Sequence, residues 1–158
     1  MSKKKVAVVL CGSGYLDGSE IREAVGALWA LSKSHVEAHC FAPDAAQADT
    51  VNCLTAQPML SETRNQLVEA ARIARGKVLP LSLLNPAEFH AIVLPGGYGA
   101  AKNLCTFASA GSNATVLPAL RTALEAMHAA KKPIGAICIA PAIVALTFKG
   151  LGLELTVG

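Results

Sequence analysis

The sequence predicts an α/β protein, a three-layer sandwich whose helices cover both faces of a mostly parallel sheet. Short continuous apolar runs alternate along the chain with segments of helical periodicity, which is the pattern of βαβ units. Several of these runs end directly in turns that contain glycine or cysteine. At 158 residues the chain is long enough for about one hydrophobic core, so we expect a single domain over residues 1–158.

The first strands and the first helix are predicted near the N-terminus. Val6 to Leu10 is a β-branched and aliphatic run, typical of a strand buried on both faces, and it ends in a glycine-rich turn. Residues 17–32 then carry apolar side chains at helical spacing, with Asp17 or Ser19 as the expected N-cap. Val36 to Ala42 is the second predicted strand.

The middle of the chain combines an irregular stretch with a buried strand. Residues 44–59 are polar and lack a sustained period, whereas residues 62–74 resume helical spacing after a possible cap at Ser61. Ala91 to Leu94 is the third predicted strand, and a short helical segment leads from it to a helix over residues 116–130.

The C-terminal part begins with a fourth buried strand, Ile134 to Ile137. Cys138 forms the turn, and a helix follows over Ile139 to Phe148, where Pro141 is tolerated in the first turn because its missing N–H needs no partner there. Leu153 to Val157 predicts one more strand.

Composition excludes several classes of protein. Hydrophobic residues are 53% of the chain and charged residues 16%, so the chain is not disordered. The longest apolar stretch, Ile134 to Phe148, is broken by Gly135 and Pro141 and is shorter than the roughly 18 residues of a membrane span. The net charge is only +3, and basic residues beyond Lys3–Lys5 are scattered. We therefore expect neither a membrane nor a nucleic-acid partner.

Cysteine usage and the N-terminus predict the compartment. Five cysteines are an odd number without a pairing-like spacing, which indicates free thiols in a reducing environment. Lys3–Lys5 precede only the short apolar run Val6 to Leu10, which lacks the length and the cleavage site of a secretory signal. We expect a cytoplasmic protein.

Cys138 is the strongest candidate for chemistry. Ligands of such folds bind at the carboxyl ends of the strands, and Cys138 lies where a buried strand turns into a helix, the geometry of a nucleophile elbow. The first amides and the dipole of that helix would favour a thiolate. A buried structural cysteine packed beside Ile137 and Ile139 fits the pattern equally well.

The loop after the third strand, Pro95 to Gly99, predicts an oxyanion hole. Its three glycines remove Cβ atoms where backbone amides could approach a reacting carbonyl. We expect the amides of Gly97 and Ile139 to form the hole, with Gly96 in support. A plain strand-to-helix turn is the alternative.

Glu20 and Glu23 are the candidate acid/base groups. They lie three residues apart near the start of a predicted helix and so share one face, which can point toward the carboxyl edge of the sheet. Surface acids favoured by the helix N-terminus explain them better when they are considered alone. A pairing with Cys138 shifts the balance toward a general base.

No cofactor or metal is expected. Gly12, Gly14 and Gly18 are spaced one residue too far for the dinucleotide-binding fingerprint. His39 and Cys40 are neighbours in a predicted strand and would point to opposite faces, which argues against a shared metal ion.

Five motifs in a fixed order carry a resemblance to a known family. They are residues 12–23, Phe41-Ala42-Pro43-Asp44, Thr63-Arg64-Asn65, residues 95–104 and Cys138-Ile139-Ala140-Pro141. This set resembles the glyoxalase ElbB family, named for enhancing lycopene biosynthesis, within the PfpI-type, class I glutamine amidotransferase-like superfamily.

The resemblance implies a flavodoxin-like sandwich, a reactive Cys138 contacted by Glu23, and oxyanion donors near Gly97 and Ile139. Glu20, Gly96 and Asn103 are expected to support this site. The implied activity is conversion of glyoxal, a small dicarbonyl, to glycolate without glutathione or metal. A homodimer and a link to isoprenoid metabolism are implied as well.

Two departures from the wider superfamily qualify the resemblance. Peptidase-like members carry histidine directly after the cysteine, whereas Ile139 stands here and no histidine follows Cys138. A Cys-His-Glu triad for proteolysis or glutamine hydrolysis is therefore not expected from this part of the chain. Family members also continue beyond the point that corresponds to Gly158, so we expect the chain to lack their C-terminal segment. A non-enzymatic thiol sensor or regulatory binding protein that uses Cys138 is the alternative function.

Overall fold

The computed structural model describes residues 3–155. Seven strands lie in this part of the chain: β1 (Lys5–Val9), β2 (Glu37–Ala42), β3 (Val51–Asn52), β4 (Gln57–Pro58), β5 (Val78–Pro80), β6 (Ala91–Leu94) and β7 (Ile134–Ala136). Six α-helices accompany them: α1 (Ile21–Lys33), α2 (Gln66–Ala74), α3 (Tyr98–Asn103), α4 (Phe107–Ala110), α5 (Pro118–Ala129) and α6 (Pro141–Thr147).

Five strands form one parallel sheet in the order β5-β2-β1-β6-β7, and β3 and β4 form a separate antiparallel hairpin. Without the edge strand β5 the remaining order is β2-β1-β6-β7. Counted along the chain within this sheet, these are its first four strands apart from β5, in the order second, first, third and fourth, as in flavodoxin-like folds. The central strand β1 pairs with β2 on one side and β6 on the other, so Val8 stands beside both Cys40 and Val93. The predicted α/β, flavodoxin-like class is confirmed.

Both faces of the sheet are buried, which explains the continuous apolar run of β1. Val8 packs with Ala24 of α1 and Ala70 of α2 in the core on one face. Val9 belongs to the core on the other face, which also holds Leu124 of α5. Alternate side chains of a strand point to opposite faces, so a strand covered on both sides needs apolar residues throughout.

Helix starts differ from the expected ones. Residue 20, not Asp17 or Ser19, caps α1, because the Glu20 carboxylate accepts a hydrogen bond from the Glu23 N–H at 2.7 Å. Ser19 instead accepts from the Cys11 N–H at 2.9 Å inside the loop. The second helix begins at Gln66 rather than residue 62, after the cap residue Asn65.

Strands at the margins were also predicted incompletely. The irregular excursion contains the short β3–β4 hairpin, and β5 was not expected at all. Leu153 to Leu155, the described part of the predicted last strand, form no strand, and residues 156 and 157 lie outside the described residues. Within residues 3–155 the helices are all too short or too polar to cross a membrane.

Candidate active site

Three loops meet at the carboxyl edge of the sheet. They follow β1, β6 and β7. The strands β1 and β6 are neighbours, and the chain continues from β1 to β2 on one side of them and from β6 to β7 on the other. Backbone hydrogen bonds join them: the Glu20 N–H donates to the Gly96 carbonyl at 2.9 Å, and the Ile137 N–H donates to the Leu94 carbonyl at 3.0 Å. Such a topological switch point is where ligands bind in open α/β sheets.

Cys138 lies on the sharp turn between β7 and α6. Its φ is 59°, a left-handed conformation that costs a non-glycine residue roughly 1–3 kcal/mol. The turn is closed by the Ala140 N–H, which donates to the Ile137 carbonyl at 3.0 Å. The cysteine is exposed. The alternative of a buried structural cysteine at this position is therefore wrong.

The other thiols near the sheet have different surroundings. Burial raises the pKa of Cys11 to about 12 and that of Cys40 to about 11. Burial also raises the pKa of Cys105. These thiols stay protonated near neutral pH and are poor nucleophiles. Cys53, on the β3–β4 hairpin, is exposed like Cys138.

Gly96 holds the carboxylate of Glu23 beside the elbow. The Gly96 N–H donates to Glu23 Oε2 at 2.9 Å. A Cβ atom on Gly96 would lie 2.6 Å from Cys138 Cβ and 2.7 Å from Glu23 Oε2, so both groups adjoin one point in space. Among the hydrogen bonds of residues 3–155, none joins the Cys138 thiol directly to Glu23. The position must be glycine for the two residues to approach each other in this way.

The Glu20 side chain contacts the backbone of Glu23 and does not lie beside Gly96 as the Glu23 carboxylate does. Its side chain caps α1 through the Glu23 N–H and also lies 3.5 Å from Arg22 Nε. The backbone of Glu23 is consequently fixed in the first turn of α1.

The loops after β6 and β7 carry the two backbone amides that were predicted to bind an oxyanion. Gly97 caps α3 with φ 95°, and a Cβ there would meet the Gly18 carbonyl oxygen at 2.6 Å and the Glu20 nitrogen still closer. Glycine is thus required by both conformation and contact. Among residues 3–155, neither the Gly97 N–H nor the Ile139 N–H has a hydrogen-bond acceptor.

Asn103 joins loops by hydrogen bonds that do not involve Cys138. Its Nδ2 donates to the carbonyls of Cys11 at 3.1 Å and Asp17 at 2.9 Å. Its Oδ1 accepts from the Ala48 N–H at 2.8 Å. Asn103 therefore supports the loop that precedes Glu23 and does not face the elbow.

A cavity of about 650 Å³ borders Cys138, and sequence reasoning did not find it. Its lining is Phe107, Ser112, Cys138, Ile139, Pro141, Ala142, Ala145, Leu146, Lys149 and Leu155. The wall combines α4, α6 and the segment after α6, and no local pattern predicts that these meet. Within the described residues there is no cluster of three or more His, Cys, Asp or Glu side chains suited to a metal ion.

Known proteins resemble the chain over nearly its whole length, although no protein-family model matches it. It is 46% identical over 156 residues to the mitochondrial ES1 protein homolog of Rattus norvegicus, covering 99% of this chain and 58% of the relative. It is also 46% identical over 154 residues to the mitochondrial glutamine amidotransferase-like class 1 domain-containing protein 3 of Homo sapiens, covering 98% and 57%. The chain thus spans somewhat more than half the length of these curated relatives.

Solved structures agree with the fold. An isoprenoid biosynthesis protein with an amidotransferase-like domain from Ehrlichia chaffeensis superimposes with a TM-score of 0.87 at 42% identity, covering 94% of this chain and 68% of that one. A two-domain protein from Anabaena variabilis with DJ-1/ThiJ/PfpI-like and ferritin-like domains gives a TM-score of 0.56 at 14% identity, covering 92% and 32%. The second likeness concerns the fold alone.

The expectation of a cytoplasmic protein was wrong. The rat and human relatives are named as mitochondrial proteins, which points away from the cytoplasm. Free thiols are compatible with any reducing compartment, so the cysteine count could not make this distinction. With this correction, the fold, the Ehrlichia structure and the ES1 relatives agree: the chain belongs to the glutamine amidotransferase-like family that includes ES1, with the fold of the ThiJ/PfpI/DJ-1 superfamily.

Proposed function

We propose that this chain is a glyoxalase of the ElbB type, which converts glyoxal to glycolate without glutathione, metal or another cofactor. The observation that carries the proposal is the approach of the exposed Cys138 and the Glu23 carboxylate around Gly96. The amides of Gly97 and Ile139 belong to the same loops and have no hydrogen-bond acceptor within the described part of the chain.

The first step is addition of the Cys138 thiolate to one aldehyde carbon of glyoxal. A C–S bond forms, and the electron pair of the C=O bond moves to oxygen. The Gly97 and Ile139 amides donate hydrogen bonds to that oxygen, which stabilises the developing charge. Protonation of the oxygen gives a hemithioacetal.

Glu23 then moves a proton between the two carbons. Its carboxylate removes the hydrogen from the carbon attached to sulfur, giving an enediol, and returns a proton to the second carbon. The product is a thioester of glycolate. Water attacks the thioester carbonyl, the C–S bond breaks, and glycolate leaves with the thiol restored. One carbon is oxidised and the other reduced, so no external oxidant or reductant is needed.

Paired variants test this assignment. Cys138→Ser and Glu23→Gln are each expected to lower kcat/KM for glyoxal by at least about 100-fold. The first removes the nucleophile and the second the acid/base group, and losing either group commonly lowers the rate by such a factor. Cys53→Ser and Glu125→Gln, which change an exposed cysteine and an exposed glutamate elsewhere, should stay within about twofold of the parent. Glycolate production is followed by chromatography. Full turnover by Cys138→Ser would overturn the mechanism.

A reversible thiol sensor is the second candidate function, favoured by the exposure of Cys138. Peroxide would transfer one oxygen to the thiolate, giving a sulfenic acid and hydroxide, and Glu23 would accept a hydrogen bond from the new S–OH group. Mass spectrometry after mild peroxide treatment distinguishes the two functions. Selective oxidation of Cys138 in a protein that lacks glyoxal turnover would favour the sensor.

The homodimer expected from the resemblance stays a prediction. Sedimentation of the 158-residue chain at several concentrations measures it directly.

A further inference from the structure

Basic residues that are scattered along the sequence gather at one edge of the folded sheet. The five strands of this sheet are parallel, so their amino ends meet at the edge opposite the one that carries Cys138. Lys4 precedes β1, Lys33 ends α1 shortly before β2, and Lys131 precedes β7. The surface that we call the basic edge consists of six exposed cations: Lys3, Lys4, Lys33, Arg75, Lys77 and Lys131.

The cations of the basic edge have no carboxylate partner within residues 3–155. Cations elsewhere are mostly paired, as Arg22 is with Glu20 at 3.5 Å and Lys102 with Asp49 at 2.7 Å. Other paired cations, each beside a glutamate, are Arg64, Arg72 and Arg121. Unpaired charge of one sign on one surface produces a potential that attracts an anionic partner.

Three carboxylates near the basic edge do not neutralise it. Glu37 Oε1 lies 3.1 Å from His39 Nε2, Glu88 Oε1 accepts a hydrogen bond from Asn85 at 3.0 Å, and Glu154 lines a cavity beside β7. The loops at the opposite edge carry a larger set of acids: Asp17, Glu20, Glu23, Asp44 and Asp49. The net charge of +3 is therefore distributed unevenly, with its positive part directed away from the proposed catalytic site.

Trp29 lies next to the basic edge, one turn before the end of α1. It is the single tryptophan of the chain, its side chain is 65% exposed, and Lys33 Nζ lies 5.6 Å from the centroid of its ring. Tryptophan favours the boundary between the water and the hydrocarbon of a bilayer, and neighbouring lysines are attracted by anionic headgroups. Nucleic-acid recognition favours arginine, whereas five of the six cations here are lysines.

We propose that the basic edge, together with Trp29, docks the protein reversibly on the surface of an anionic lipid bilayer. The lysine ammonium groups interact with the negative surface potential, which requires no fixed geometry, and the indole enters the headgroup region. Docking in this orientation leaves Cys138 facing the water. The proposal is independent of the glyoxalase function. The sequence-based expectation of no membrane partner rested on the spacing of basic residues along the chain, which the fold does not preserve.

Vesicle sedimentation and tryptophan fluorescence test the proposal on the 158-residue chain. At low salt, the affinity for vesicles of phosphatidylcholine with about one third phosphatidylglycerol should exceed that for phosphatidylcholine alone by at least about tenfold. Salt at about 0.5 M should remove most of this difference, because it screens exposed charges. Emission from Trp29 should shift to shorter wavelength, and a water-soluble quencher should lose access to it, with the anionic vesicles only.

Charge-reversed pairs of variants locate the docking surface. Lys4→Glu combined with Lys131→Glu should lower the affinity for anionic vesicles at least about tenfold. Arg22→Glu combined with Arg64→Glu changes the net charge equally at the opposite edge and is the matched control, expected to lower the affinity no more than about threefold. Trp29→Ala should lower it at least about threefold and keep its salt dependence. Circular dichroism verifies that each variant is folded.

Several results would overturn the proposal. Equal binding to neutral and anionic vesicles, or binding to neither, contradicts docking by the basic edge. Equal losses with the two charge-reversed pairs do so as well, because binding would then follow net charge and not this surface. Single-stranded RNA and polyglutamate are tested in parallel. Salt-sensitive binding of either polymer without vesicle binding would assign the basic edge to a nucleic acid or to an acidic protein instead.

Discussion

Cys11 and Cys138 occupy comparable places in the sheet, since each follows the carboxyl end of a parallel strand, β1 and β7 respectively. Cys11 continues into the loop core, where its N–H donates to Ser19 Oγ at 2.9 Å and its carbonyl accepts from Asn103 Nδ2 at 3.1 Å. Cys138 adopts a left-handed φ of 59° and is exposed. The left-handed turn at Cys138 therefore distinguishes the accessible thiol of Cys138 from the protected thiol of Cys11.

The largest expected effect of this difference is on the rate of alkylation. Cys11 should react with iodoacetamide at least about a thousandfold more slowly than Cys138, because burial raises its pKa to about 12 and closes access to the sulfur. Site-resolved mass spectrometry over time measures both rates in one sample. Exposed Cys53 serves as a reference for accessibility, and unfolding in denaturant should abolish the protection of Cys11. Equal labelling of Cys11 and Cys53 in the native protein would refute the comparison.

Gly96→Ala is expected to break the accessible site. The new Cβ would lie 2.6 Å from Cys138 Cβ and 2.7 Å from the Ile137 carbonyl oxygen, so the elbow must move. A shift of this kind costs about 1–3 kcal/mol of stability and about 100-fold in kcat/KM. Denaturant unfolding and glyoxal kinetics measure the two effects.

Gly26→Ala is the matched control for that substitution. Gly26 lies inside α1 and an added Cβ would meet no atom of another element within 4 Å, so alanine should stabilise the protein by about 0.5–1 kcal/mol. We therefore expect Gly96→Ala to lower the free energy of unfolding and Gly26→Ala to raise it. A neutral Gly96→Ala variant would show that the elbow and Glu23 are less closely packed than described.

The sequence predicted the elements whose burial is local and uniform, and it missed those that depend on distant partners. Val6 to Val9 identify β1 because both faces of that strand are covered. The edge strand β5 has only three residues, with Leu79 half-exposed and a proline at its end, so no apolar pattern marked it. It forms because Cys40–Ala42 offer a pairing edge.

The candidate site shows the same division. Cys138 and Gly97 were predicted because a cysteine or glycine directly after a buried strand is a local signal. The cap of α1 was not, because Ser19 and Asp17 are drawn to the amides of Cys11 and Val51, the latter distant in sequence. The cavity beside Cys138 needs Phe107 of α4 to meet α6, and only the folded chain brings them together.

Ser19→Ala tests what holds the protected thiol in place. The substitution removes the acceptor of the Cys11 N–H, and both groups are fully buried. A buried donor left without a partner costs about 1–3 kcal/mol, so the free energy of unfolding should fall by that amount. Cys11 should also become easier to alkylate, whereas the labelling rate of Cys138 should stay unchanged. Ser32→Ala, which changes an exposed serine on α1, is the control and should alter stability by no more than about 0.5 kcal/mol.

The smallest effect concerns the backbone strain at Cys138. Cys138→Gly and Cys138→Ala both remove the sulfur, but only glycine adopts φ near 59° without steric cost. We expect the glycine variant to be more stable than the alanine variant by about 0.5–1 kcal/mol, measured by denaturant unfolding. At position 11, which is buried and lacks a left-handed backbone, the order should reverse, because glycine only adds unfolded-state entropy and removes packing. A Cys138→Ala variant as stable as Cys138→Gly, or more stable, would mean that the elbow stores no strain, and the turn would then not be what distinguishes the two thiols.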